Sequence, residues 1–166
     1  MNNYIGTKQV SAKLVKRGWY VNYQGWDLPA NEDPDDDVYM VEYAPMPSNK
    51  PNHPNHAGYL TMSPKDVFES SYRPNGRLSF GDALMMAKQG SKIARSGWNG
   101  KEMYVTIMPG YPDGIEANEN TRAAHNLPKG AIIKFRPYFQ LLTAQGDIAM
   151  WAPSGSDALA EDWMIV

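Results

Sequence analysis

Proline and glycine recur so often in this chain that no long helix fits between them. Thirteen prolines and 14 glycines are spread over 166 residues, and residues of both kinds end helices and open turns. A hydrophobic fraction of 42% with 11% aromatic residues nevertheless belongs to a folded protein. Together these features predict a strand-rich α+β protein, either one domain of common size or a small domain carrying an N-terminal extension.

Charge and cysteine content narrow the function. A formal net charge of −2 gives no global attraction to DNA, RNA polymers or anionic membranes, so any anion site has to be local. With no cysteine, disulfides and thiolate zinc sites are impossible, which suits a reducing cytosol. The opening MNNYIGTKQV lacks a basic region followed by an apolar core, and no apolar run approaches the ~20 residues that span a bilayer. A soluble intracellular protein is expected.

Local patterning then divides the chain. Residues 4–15 and 38–43 are rich in β-branched and aromatic residues and read as strands, separated and followed by the proline-rich, polar loops LPANEDPDDD and APMPSNKPNHPNHAG. Ser63, Pro64 and Asp66 read as N-cap, first helical position and first-turn carboxylate of a short helix to about Ser71. The segment RPNGR breaks it, giving an N-terminal, mainly β module over 1–73, a linker at 74–77 and a second domain over 78–166. That second domain opens with its strongest helix signal. Ser79 caps, Asp82 stands at the capping-box position, Phe80, Ala83, Leu84 and Ala87 share one face, and Gly90 ends the helix. Strands are expected at 92–95, 103–108, 132–135, 138–142, 147–151 and 162–166, with a polar insertion over 113–129 and one helical turn capped by Ser156. The domain should therefore be a small antiparallel sheet with one principal helix.

Two tryptophan-bearing segments stand out. Trp98 lies in SGWNGK, where Asn99-Gly100 is a hairpin signal; its ring either stacks on a planar ligand or covers one end of the sheet. Lys92, Arg95 and Lys101 bracket that turn and could receive phosphate oxygens, although charge on strand edges is also ordinary solubility chemistry. Trp151 precedes Pro153, Ser154, Gly155, Ser156 and Asp157, whose hydroxyls, amides and carboxylate could hold a ribose or phosphate, or only cap a turn. Trp163 reads as core. His53 and His56 have the spacing of a metal pair but no third ligand nearby. Glu32, Asp33, Asp35, Asp36 and Asp37 lack the pattern of a calcium loop and read as solvated. No nucleophile elbow, Walker lysine, zinc-protease motif or dinucleotide fingerprint is present, so neither catalysis, metal nor cofactor is expected.

The runs LSFGDALMMAKQGSKIARSGWNGKEMYV, MPGY and RPYFQLLTAQGDIAMWAPSGSDALAEDWMIV, in this order and spacing, resemble the phage Thoeris anti-defence two family over 78–166. YIGTK and MSPKDVF look like an accessory module found ahead of this domain in some phage proteins. The resemblance implies a non-catalytic sponge in the host cytoplasm that binds small cyclic nucleotide signals: glycocyclic ADP-ribose isomers made by TIR-domain proteins, and for some members cyclic dinucleotides. It further implies a homo-oligomer, a tetramer, with ligand held between subunits. Carried onto this sequence, it offers Trp98 and Trp151 as aromatic contacts to adenine, two halves of a clamp on a base. Asn99, Lys101, Ser154 and Asp157 are its polar contacts. The insertion over 113–129 and the N-terminal module depart from the shortest members. The competing readings are a nucleotide phosphodiesterase or glycohydrolase using Asp157, Asp162 or His125, and a phage structural or adaptor protein whose tryptophans bury a protein partner.

Overall fold

The computed structural model describes residue 2 and residues 6–166. The chain divides into two compact units, Met1–Arg73 and Pro74–Val166.

The first unit is a three-stranded antiparallel sheet with two short helices. In chain order these are β1 (Val10–Lys16), α1 (Arg17–Tyr23), β2 (Asp37–Tyr43), β3 (Tyr59–Pro64) and α2 (Lys65–Ser71), with β2 central. Tyr4 and Ile5, placed by sequence in the first strand, lie outside the described residues. Val38 and Val41 in β2 are buried, as are Leu60, Tyr20 and Val21; standing three residues apart, the two valines lie on opposite faces of the central strand. Helix α1 is not anticipated by the sequence. It starts directly from β1 with no side-chain cap, and Gly18 lets Pro34 approach so closely that a Cβ there would lie 2.8 Å from the Pro34 Cβ.

Ser63 does not cap α2, contrary to expectation. Ser63 and Pro64 complete β3, opposite Tyr39 and Val38, and the helix begins one residue later at Lys65. Pairing with β2 outweighs the local cap signal, and proline is tolerated here at the end of an edge strand. In the acidic loop, Glu32 and Asp36 pair with Arg17, while Asp37 at the start of β2 pairs with Lys16 and Lys65. His53 stacks on Tyr23, and His56 joins the Glu42 carboxylate (2.8 Å) to the Tyr23 hydroxyl (3.0 Å). Both histidines thereby hold the loop between β2 and β3.

The second unit carries α3 (Phe80–Lys88), β4 (Ile93–Arg95), β5 (Tyr104–Met108), β6 (Tyr111–Glu116), α4 (Glu119–His125), β7 (Ile132–Phe135), β8 (Tyr138–Leu142), β9 (Ile148–Trp151), α5 (Gly155–Ala158) and β10 (Trp163–Ile165). Five strands form an antiparallel sheet in the order β10-β4-β5-β8-β9, and β6 with β7 makes a separate ribbon. The sequence-derived class, α+β with a small antiparallel sheet and one principal helix, describes this unit.

Helix α3 starts as its sequence dictates. The Ser79 hydroxyl accepts from Asp82 N–H and the Asp82 carboxylate accepts from Ser79 N–H, a reciprocal capping box. Gly90, at φ +97°, takes the left-handed conformation beyond the helix end. The helix lays Ala83, Met86 and Ala87 on the sheet. Register aligns Val105 with Leu141 and Ala149 in one row, and Ile107 with Phe139 and Trp151 in the next. Val105 and Leu141 of the first row and all three residues of the second pack with Ala83, Ala87, Ile93 and Trp163 in a single core cluster.

Three local expectations change. The polar insertion is ordered: β6 bulges at Gly114 (φ +87°), and Asn118 caps α4 by accepting from Thr121 N–H at 2.8 Å. Asn99-Gly100 is not a two-residue hairpin turn, because β4 and β5 are joined by the longer loop 96–103, whose left-handed residue is Glu102 (φ 59°). Gly100 is required for another reason, since a Cβ there would collide with Met103 Sδ and with Ala144 Cβ. Finally, α5 is capped by Ser154 rather than Ser156. Residues 74–77, read as a linker, carry bonds to the last strand: the Asn75 amide donates to Ile165 O (3.0 Å) and accepts from Ile165 N–H (2.7 Å).

Candidate functional site

The sheet register brings the two tryptophan segments together. β10 pairs with β4 so that Trp163 lies opposite Arg95, which sets the loop after β4 beside the C-terminal segment. Trp98 and Trp151 meet edge to face, with centroids 6.2 Å apart and planes at 69°. Trp163 completes the group at 5.6 Å from Trp98 and 6.1 Å from Trp151, flanked by Phe80 and Phe139. Such pairs prefer edge-to-face geometry and add ~0.5–1.5 kcal/mol each beyond area burial. Trp163 is fully buried, whereas Trp98 and Trp151 are half-buried. The pair therefore forms a wall with outward surface. It does not form the expected clamp, because rings in edge contact leave no parallel slot for a base between them.

Beneath the wall lies an ion network. Arg95 donates from Nε to Asp162 Oδ1 and from its NH1 nitrogen to Asp157 Oδ1, both at 2.8 Å. Asp162 Oδ2 accepts from Gly97 N–H (3.0 Å) and the Ser96 hydroxyl (3.4 Å). Asp157 Oδ2 accepts from Ser154 N–H (3.1 Å) and the Ser154 hydroxyl (2.6 Å), and its backbone carbonyl accepts from Trp163 Nε1 (2.9 Å). Burial works to raise the Asp157 carboxyl, but hydrogen bonds from Ser154 and Arg95, with help from Trp98, outweigh it and hold it at about 2. Asp162 is also held below the usual carboxylate range, chiefly by the hydrogen bond from Arg95. Both are ionised at neutral pH, so neither is a ready proton donor for hydrolysis.

The candidate residues thus separate by role. Trp98 and Trp151 are adjacent. Ser154 and Asp157 are adjacent too, but they spend their polar atoms on each other and on Arg95. Arg95 itself, considered as an anion receptor, is balanced by two carboxylates. Lys92 sits over the Tyr104 ring at 4.3 Å, on the sheet face opposite Val105 and the core. Asn99 and Lys101 are exposed, with no side-chain hydrogen bond or ion pair among the described residues. They are the polar groups of this region left open to a ligand. His125 ends α4 in the insertion. Sequence reading missed Asp162 and Arg95 as a structural pair, because nothing local links residues so far apart; the pairing of β10 with β4 is the only signal.

A five-stranded antiparallel sheet, one helix across it and an aromatic wall on the helix-bearing face define a small α+β domain of one recognisable class. Residues 78–166, more than half of the chain, match the family model described as the Thoeris anti-defense 2-like domain, and the chain belongs to that family. It is also 38% identical over 90 residues to Thoeris anti-defense 2 of Bacillus phage SP01, an alignment spanning 54% of this chain and 96% of that relative.

Proposed function

We propose that this chain is a phage anti-defence protein that binds small cyclic nucleotide immune signals, glycocyclic ADP-ribose isomers first and cyclic dinucleotides second, and sequesters them without cleavage in the host cytoplasm. The observation that carries this reading is the meeting of Trp98 and Trp151 ring to ring, beside the exposed Asn99 and Lys101, within the family-matched unit. An adenine stacks on the outward surface of this wall, and stacking of a base on an aromatic ring is worth ~1–3 kcal/mol. Lys101 meets phosphate as a point charge and Asn99 offers both donor and acceptor.

One wall covers one side of a base. The remaining enclosure comes from a second copy in a homotetramer; the exposed Ile148 (60%) and Met150 (80%), on edge strand β9 and on the sheet face opposite Trp151, supply apolar surface for a further contact between copies. Sequestration needs tight binding rather than transition-state stabilisation; a dissociation constant of ~1 nM corresponds to about −12 kcal/mol.

Calorimetric titration of the full chain against cyclic ADP-ribose isomers and cyclic dinucleotides tests this. Saturable binding to at least one of them, weakened by roughly 10- to 100-fold in Trp98→Ala and in Trp151→Ala, is expected. Absence of heat with every nucleotide, in a folded protein, contradicts it.

A further inference from the structure

We propose that Arg95 and Asp162 are positioning residues of this site: they hold the Trp98 loop in register with the 151–157 segment and do not touch the ligand. The inference rests on the reading of the Trp98 and Trp151 wall as the nucleotide surface, and it corrects the natural assumption that an arginine beside a nucleotide site binds phosphate.

Three observations carry it. First, the two residues link the loop that carries Trp98 to the segment that carries Asp157. Asp162 anchors the loop next to Trp98 through Gly97 N–H and Ser96, and Ser96 N–H also donates to Asp162 O (3.1 Å). Arg95 then ties Asp162 to Asp157, which fixes the Ser154 cap and, through its carbonyl, the Trp163 indole. Second, the loop is fitted to that anchor. A Cβ on Gly97 would lie 2.9 Å from Asp162 Oδ2, so any side chain there has to push the carboxylate away from the Gly97 N–H it now accepts from. Third, one guanidinium against two carboxylates leaves a net negative charge, with the three side chains only 14–30% exposed. Such a group repels phosphate, and its directional, charge-assisted bonds fix geometry.

Gly97→Ala and Asp162→Asn attack the anchor by different means. The first separates the loop from the Asp162 carboxylate while keeping every ionic group, and the second keeps Gly97 while setting an amide nitrogen against one of the two donors, Gly97 N–H or Arg95 Nε. Each is measured in the full chain by near-ultraviolet circular dichroism, which reports the packing of the tryptophan group, by thermal unfolding, and by titration with the cyclic ADP-ribose isomer that binds the parent. Both variants are expected to lose part of the tryptophan band and to bind about tenfold more weakly. In a Trp98→Ala background neither should weaken binding further, because residues acting through one another are non-additive.

A parental band and parental affinity in both variants overturn the proposal, including when the melting temperature drops. So does an undiminished loss of affinity in the Trp98→Ala background, which would mean direct contact with the ligand. If the parent binds no nucleotide, the sponge reading fails, while the dichroism of the two variants still decides whether the brace sets the Trp98 pose.

Discussion

Trp163 shows how much can rest on one side chain. It is fully buried, touches three other aromatic rings and donates its indole N–H to the Asp157 carbonyl. Trp163→Ala should cost ~3–5 kcal/mol in urea unfolding, from lost burial and the cavity left behind. Trp163→Phe, which keeps a ring but removes the indole N–H from a carbonyl that also accepts from Ala160 N–H (3.3 Å), should cost ~0.5–1.5 kcal/mol for the lost bond. Asp157 adds a pH dependence with a definite sign. Its folded value of about 2 lies below the unfolded carboxylate value of ~3.9, so its contribution is present above the unfolded value and fades as pH falls through about 2. Acid titration followed by tryptophan fluorescence should show this loss, and Asp157→Asn should flatten it. At this scale the sequence is half legible. It marks Trp98, Trp151, Ser154 and Asp157 as a group but does not show that the last two are occupied with each other, because a capping box and a ribose contact call for the same residues.

Among the elements, those with strong end signals are read directly from sequence. Helix α3 has its reciprocal cap and a left-handed glycine just beyond it, and Ser79→Ala should destabilise the chain by ~0.5–2 kcal/mol in denaturant titration. Strands β7 and β8 also fall where alternation and β-branched residues put them. Other elements are hidden for physical reasons. Pro112 and Gly114 lie inside β6 and argue against a strand, which survives as the bulged half of a two-stranded ribbon. Helix α4 has an Asn118 cap, but its polar composition resembles a loop. Helix α1 owes its existence to burial of Tyr20 and Val21 against the first sheet, tertiary information that no local window holds. The loop after β4 is longer than its Asn-Gly signal suggests, because the close approaches at Gly97 and Gly100 shape it.

For the molecule as a whole, the family match covers 78–166 while the compact unit begins at Pro74. The difference matters, since Asn75 makes two hydrogen bonds with Ile165 in the edge strand. A fragment starting at Pro74 should unfold cooperatively, and one starting at Leu78 should be less stable by ~1–3 kcal/mol on losing that pair. The central claim, capture without cleavage, is tested most directly by recovery of the ligand. The full chain is mixed with a limiting amount of the cyclic ADP-ribose isomer it binds, until none remains free; the complex is then heated to denature the protein and the released nucleotide is identified by mass. Near-complete return of the unaltered cyclic nucleotide is the predicted result, and release of a hydrolysed, linear product would contradict the account.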